Sequence, residues 1–260
     1  MQSWILPFLA VVGMSIGAIY YIVYSRRKEG LRVLLYHKVD TTIQNMMTVT
    51  VAQLESHIKY LIATGYTIIS IETLFSHETL PSKSVILTFD DAYLNNLELA
   101  YPILQKYQAY ATIFVPTAYV GDLSRWDIDA APIMGVEELK SLDKNLITLA
   151  LHTHQHQHFG SLSIPDIKAD LEENIKFFVE NNLPFIPVLA YPYGGRPKDT
   201  SSKKQMFSIF EQLGIKMAFR IGNRINTLPL TNQYEIERID IRGTDNLEDF
   251  ISKVKWGKFL

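Results

Sequence analysis

Residues 84–93 read SVILTFDDAY. Six residues dominated by apolar and β-branched side chains run without a charge, then stop at two adjacent carboxylates, Asp90 and Asp91. A near-continuous apolar run of this length reads as a strand buried on both faces, the pattern of a parallel sheet covered by helices. In such folds reactive side chains sit just past the carboxyl ends of the strands. One short stretch thus predicts a fold class and a place for a site.

Working outward, similar runs recur: LRVLLY (31–36), YTIIS (66–70), ATIFV (111–115), LITLAL (146–151), PVLAY (187–191), KMAFRI (216–221) and EIERIDI (235–241). Helical spacings of three and four lie between them. Val51, Leu54, Ile58 and Leu61 form one stripe; Ile164, Ile167, Leu171, Ile175 and Phe178 form a second. The second opens with Ser163-x-x-Asp166, a capping-box pattern. Leu247, Phe250, Ile251 and Val254 mark a last helix. Strand–helix alternation over about seven units predicts an α/β fold closed as a (β/α) barrel. No linker, repeat or low-complexity tract divides residues 31–260, which read as one domain.

Residues 1–30 have another character. The run 4–24, WILPFLAVVGMSIGAIYYIVY, carries no charge and is followed at once by SRRKEG. About 20 apolar residues span a bilayer core of about 30 Å, and Trp4, Tyr20, Tyr21 and Tyr24 stand where interfacial aromatics belong. A positive leader and an A-x-A cleavage site are missing, so the run is read as an uncleaved transmembrane helix anchoring the protein in the cell membrane. Arg26, Arg27 and Lys28 would place the rest of the chain in the cytoplasm.

Composition narrows the chemistry. A net charge of −2 argues against nucleic acid as a partner. Without cysteine there are no disulfides and no thiolate ligands, so any transition-metal site must use histidine and carboxylate. The predicted strand tips offer both: His37, the Asp90–Asp91 pair, His152, and the turn YPYGG (191–195). If the strands are parallel, all four lie on one face. Adjacent carboxylates at a strand end point in different directions, so one can bind a cation while the other handles protons; alternatively they cap the next helix. The stretch LALHTHQHQHFG (149–160) holds four of the chain's seven histidines, His152, His154, His156 and His158. Spacing alone does not select ligands among them. Zinc and its relatives want three protein ligands and an open position, which one Asp and two His can supply.

LTFDDAY (87–93), HTHQH (152–156) and AYPYG (190–194), in that order, resemble the first three motifs of the polysaccharide deacetylases, the NodB-type carbohydrate esterases of family 4. VLLYHKV (33–39) resembles the opening strand of that family's poly-N-acetylglucosamine deacetylase branch, and LELAYPILQKYQAYATIFV (97–115) resembles the helix and strand after the Asp pair. The resemblance covers residues 31 to about 255. It implies a distorted barrel of about seven strands and metal-dependent hydrolysis of N-acetyl groups on a polysaccharide, with poly-β-1,6-N-acetylglucosamine or a related polymer as substrate. The family pattern H-[ST]-x-x-H is met only from His152, with Thr153 and His156. Carried over residue by residue, Asp91, His152 and His156 are the metal ligands, Asp90 the catalytic base, and the backbone N–H of Tyr193 an oxyanion donor. Zinc is the expected cation, with cobalt, nickel or iron suited to the same donors.

Two departures stand out. The third motif's usual arginine is replaced by Leu189 or Ala190, and the late L-x-x-H motif is missing, since no histidine follows His158. His37 becomes the candidate general acid. Trp126 and Arg238 are read as lining a substrate groove, Trp126 by stacking on sugar rings. Asp127 and Asp129 are read as turn residues, His57 and His77 as solvent-facing. The branch resemblance favours the outer face of the membrane, against the basic segment. A cytoplasmic deformylase or deacetylase of a lipid-linked sugar and a non-catalytic carbohydrate-binding module are the alternative functions. Nothing in the sequence fixes an oligomeric state.

Overall fold

A strand is apolar on both faces when both are buried, and a closed ring under helices provides that. The computed structural model describes residues 30–76 and 79–257. Its strands are β1 (Arg32–Tyr36), β2 (Lys38–Asp40), β3 (Thr48–Thr50), β4 (Thr67–Ile68), β5 (Ser84–Phe89), β6 (Ala111–Val115), β7 (Ile147–Leu151), β8 (Ile186–Ala190), β9 (Met217–Ile221) and β10 (Ile236–Asp240). Around the ring the order is β1-β10-β9-β8-β7-β6-β5, and β5 returns to β1 in a register running from Arg32↔Val85 to Tyr36↔Phe89. Every pairing in the ring is parallel. The expected barrel is present, with seven strands closing it.

Alternation along each strand divides the core into two layers. Val33, Ile86, Phe114, Ala150, Val188, Phe219 and Ile236 fill the lumen. Their neighbours Leu34, Leu87, Ile113, Leu151 and Leu189 pack outward beneath the helices. Continuing the inward series by steps of two leads to His37 past β1, Asp90 past β5 and His152 past β7, and to Arg238 within β10. The barrel mouth receives its polar groups by strand parity.

The helices are α1 (Val51–Ala63), α2 (Tyr101–Tyr107), α3 (Val136–Ser141), α4 (Ile164–Glu180), α5 (Thr200–Gln212) and α6 (Leu247–Trp256). Thr50 with Gln53, and Asn246 with Asp249, form reciprocal capping boxes at the starts of α1 and α6. At α4 Ser163 accepts from the Asp166 N–H, while the return interaction is its own hydroxyl donating to the Asp166 carboxylate at 2.6 Å.

Three readings need correction. The strand expected over 66–70 shrinks to β4, because β5 gives β4 only its first residues, Ser84 and Val85, and pairs with β6 from Leu87 onward. The small parallel pair β2–β3 went unforeseen. His57 is 1% exposed, stacked on Phe250 at 3.8 Å and 3.2 Å from the Tyr36 hydroxyl. It lies three residues after Leu54 and four before Leu61, squarely on the apolar stripe of α1. Among the described residues no helix is long and apolar enough to cross a membrane. The apolar run 4–24, read as an anchor, and His77 lie outside the described residues.

Burial, helped by the Lys253 cation, pushes the His57 imidazole down to about 3. Unfolded, the same group titrates near about 6.5, so its contribution to stability is complete above that value and is lost as pH falls from about 6.5 toward about 3. Urea unfolding at neutral pH and near pH 5 is expected to show His57→Phe losing less stability on acidification than the wild type, by about 2 kcal/mol. Parallel pH dependences for the two proteins would contradict the neutral, buried imidazole.

Candidate active site at the barrel mouth

Asp90 emerges from β5 into the lumen with 3% of its surface exposed. Arg238, fully buried, grips it with two parallel bonds, Nη1 to Oδ1 at 2.6 Å and Nη2 to Oδ2 at 2.7 Å. The guanidinium also reaches Thr88 Oγ1 at 3.4 Å and lies 5.4 Å from the Phe114 ring centre. Arg238 therefore does not line a substrate groove. It orients Asp90 through that bidentate pair. Burial pushes the Asp90 carboxyl up, but the Arg238 charge, with His152 next, outweighs it and holds the group below the usual range. Asp90 is thus an ionised acceptor at neutral pH. His37 also lowers it, which places that half-buried imidazole within electrostatic reach.

Asp91 leaves the strand differently. Its φ is 72° and that of Ala92 is 52°, left-handed conformations that break the strand's alternation and let both carboxylates approach His152 Nε2, Asp91 at 3.3 Å and Asp90 at 3.8 Å. Asp91 Oδ1 is buried without a hydrogen bond, 3.3 Å from His152 Nε2 and 3.0 Å from His156 Nε2. One ligand atom from each of the three residues falls within a 4.8 Å cluster, and all three residues are buried. For a tetrahedral divalent ion, bonds of about 2.0–2.1 Å separate neighbouring ligand atoms by about 3.3 Å. Donor types, spacing and the orphaned oxygen fit a cation. Burial raises the Asp91 carboxyl, but His156 and His152 outweigh that and hold it well below the usual range.

The histidine stretch divides by what each ring touches. His152 Nδ1 lies 2.8 Å from the Ala190 carbonyl, which only accepts, so Nδ1 carries a proton and in the neutral ring Nε2 is the nitrogen left to bind a cation. His156 enters from a loop where Thr153 has φ 69° and His156 φ 51°, and its N–H bonds Thr153 Oγ1 at 3.0 Å. His154 turns to Thr117 Oγ1 at 3.0 Å, and His158 Nδ1 accepts from the Gly160 N–H. His152 and His156 converge on Asp91; the other two serve the loop.

Residues missed in the sequence hold this loop. Asp170 on α4 accepts from the His154 and Gln155 N–H groups at 2.7 and 2.8 Å. Asn174, one turn on and fully buried, donates to Thr117 Oγ1 at 2.8 Å. Two polar residues four apart beside an apolar stripe were the available signal. Trp126 stacks on His156 at 4.0 Å, so this face of the indole covers a candidate ligand rather than a sugar. Tyr193, 57% exposed with φ 58°, sets its ring 4.9 Å from His156. Asp127 is more than a turn residue: its Oδ2 accepts from Tyr93 and Ser124 and pairs with Lys38 at 2.8 Å. Asp129 contributes a carbonyl to Lys38 Nζ at 3.2 Å.

The family model for polysaccharide deacetylase matches residues 77–226, which include Asp90, Asp91, His152 and His156. The poly-beta-1,6-N-acetyl-D-glucosamine N-deacetylase of Staphylococcus aureus is 29% identical over 224 residues, 82% of this chain and 73% of that protein. YxkH of Bacillus subtilis is 26% identical over 65% of this chain; the chain spans 59% of that relative, less than two thirds of its length. The structure of IcaB from Ammonifex degensii superposes with a TM-score of 0.73 at 20% identity, covering 88% of this chain and 97% of that one. At that identity the likeness speaks for the fold.

Arg238→Met would leave Asp90 buried and unpaired. It is expected to destabilise the protein by about 3–5 kcal/mol in chemical denaturation, with much of the loss recovered when Asp90→Asn is added. A single variant as stable as the wild type would show that the pair does not hold the mouth together.

Proposed function

The chain belongs to the polysaccharide deacetylase family, and from that premise we propose that it removes N-acetyl groups from a polysaccharide, with poly-β-1,6-N-acetylglucosamine as substrate. The observation that carries the reading is the buried, unbonded Asp91 Oδ1 between two imidazole nitrogens, beside a separately oriented and ionised Asp90. The named activity of the Staphylococcus aureus relative supports the choice of polymer.

Asp91, His152 and His156 would hold a divalent cation, zinc by default. When bound, such an ion supplies Lewis-acid polarisation of a carbonyl and a more acidic water. The chain's own residues do the rest. Arg238 occupies one lone pair on each oxygen of Asp90, which leaves the others to accept a proton from the attacking water. Oδ2 lies 3.8 Å from His152 Nε2, so the base faces the candidate ligands. As water adds to the amide carbon, charge grows on the carbonyl oxygen, where the Tyr193 backbone N–H is the proposed donor. Breakage of the C–N bond hands the electron pair to nitrogen, which needs a proton. His37, half-buried near Asp90, is the proposed source. Acetate and a free amine result.

We also propose that residues 4–24 anchor the protein in the membrane, with the barrel on the outer side, where a polymer substrate would lie. A phosphatase fused to the carboxyl end is then expected to be active in cells, and an inactive but stable fusion would move the barrel to the cytoplasm.

The function itself is tested by acetate release from β-1,6-linked N-acetylglucosamine oligomers with and without a chelator. Chelation is expected to abolish release. Asp91→Ala should lose metal and activity together, whereas Asp90→Asn should keep the metal while turnover drops about 10²–10⁴-fold. If the metal-loaded wild type leaves these oligomers acetylated, the substrate is wrong; if Asp90→Asn turns over normally, the base is.

A further inference from the structure

The two imidazoles aimed at Asp91 are held by different means. His152 has its far nitrogen bonded to the Ala190 carbonyl, the usual way a ligating ring is kept from turning. His156 has no counterpart: its Nδ1 is buried and unbonded. Its Nε2 faces Asp91 Oδ1 at 3.0 Å, and its other neighbours are aromatic rings. The Trp126 indole lies at 4.0 Å and 29° to it, and Tyr193 flanks it at 4.9 Å and 59°. Tyr193 is largely exposed, whereas Trp126 is half-buried and braced edge-on by Tyr119 at 4.7 Å.

The segment carrying Trp126 is itself clasped. Ser124 N–H bonds the Ala131 carbonyl at 2.9 Å, and Ile133 N–H bonds the Asp122 carbonyl at 2.9 Å, closing the neck of the loop. Asp127, next to Trp126, takes the Tyr93 hydroxyl at 2.7 Å, the Ser124 hydroxyl at 2.8 Å and the Lys38 ammonium at 2.8 Å. Met134 N–H bonds the Ala92 carbonyl and Leu94 N–H bonds the Pro132 carbonyl. The loop is thereby sewn to the residues that immediately follow Asp91. Backbone hydrogen bonds thus tie the segment that follows Asp91 to the loop that carries Trp126.

We propose that Trp126 is a positioning residue, whose stacked indole sets the plane of His156 for cation binding in place of the hydrogen bond that His156 lacks. The proposal rests on the metal-site reading above. It assigns a role to the Lys38–Asp127–Tyr93 clasp, which keeps the indole in register with Asp91.

The test is zinc affinity of the full chain by chelator competition, with the visible absorption of the cobalt(II) form as a second signature. Trp126→Ala is expected to weaken zinc binding about 10- to 100-fold, the usual effect of removing a group that orients a ligand, and to shift the cobalt spectrum. Trp126→Phe, still planar, should stay within about threefold of the wild type; Trp126→Leu, apolar but unable to stack, should behave like the alanine variant. Ile128→Ala, in the same loop but fully exposed, should change nothing. Wild-type affinity in a folded Trp126→Ala, or full rescue by leucine, overturns the proposal. Should Trp126→Ala not fold, Lys38→Met carries the test: releasing the clasp is expected to weaken zinc severalfold, and an unchanged affinity overturns the proposal. A wild-type chain that binds neither metal would overturn the metal site as well; the other failures leave it standing.

Discussion

A carboxylate inside a barrel has given up its water, and the Arg238 guanidinium is what makes the position of Asp90 tolerable. Both groups are buried, both bonds are short, and the pair joins β5 to β10 across the lumen. An unpaired carboxylate there would take up a proton, since burial alone pushes it that way. The ionised state of Asp90 and its single orientation both follow from that pairing. Such an ion pair adds little net stability compared with apolar packing. Its value lies in fixing one protonation state and one orientation.

Around this pair the main chain is held in conformations that side chains other than glycine resist. Asp91, Ala92, Thr153, His156 and Tyr193 all have φ between 51° and 72°. Each departure costs roughly 1–3 kcal/mol and persists because neighbours over-determine it: the Asp170 carboxylate under the histidine loop, the Thr153 hydroxyl on His156 N–H, and the backbone bonds from Met134 and Leu94 beside Ala92. The strain lies in the loops that present the candidate ligands, while the strands beneath carry the packing, with a register shift between β7 and β8 at Ala150 and Leu151, just before His152.

Much of this was legible in the chain. The strands announced themselves because a ring under helices buries both faces, so β5, β6 and β7 appear as unbroken apolar runs. Asp91, His152 and His156 were singled out by the resemblance to the deacetylase motifs, since spacing alone left four histidines open, and the structure brings them together. Arg238 was visible but misread: a charge inside an apolar strand two residues after Ile236 shares the parity of the lumen, and Asp90, nearly 150 positions away in the chain, shares it too. Partners so remote leave no local pattern. His57 failed for the opposite reason, because its i, i+3 and i+4 neighbours did place it on a buried face and only its polarity suggested otherwise. Asp170 and the Lys38–Asp127 clasp depend on which loop folds over which helix, and no local periodicity encodes that.

The ring is closed by its first strand, β1, seated between β5 and β10, and this orders events in time. A nascent chain that has emerged through the YPYGG turn already carries every motif residue, yet it lacks β9 and β10, which complete the wall, and with β10 the arginine that steadies Asp90. Contacts of such long sequence separation form late, and translation delivers the amino-terminal elements first. The Asp90–Arg238 pair therefore exists only once β10 has docked against β1.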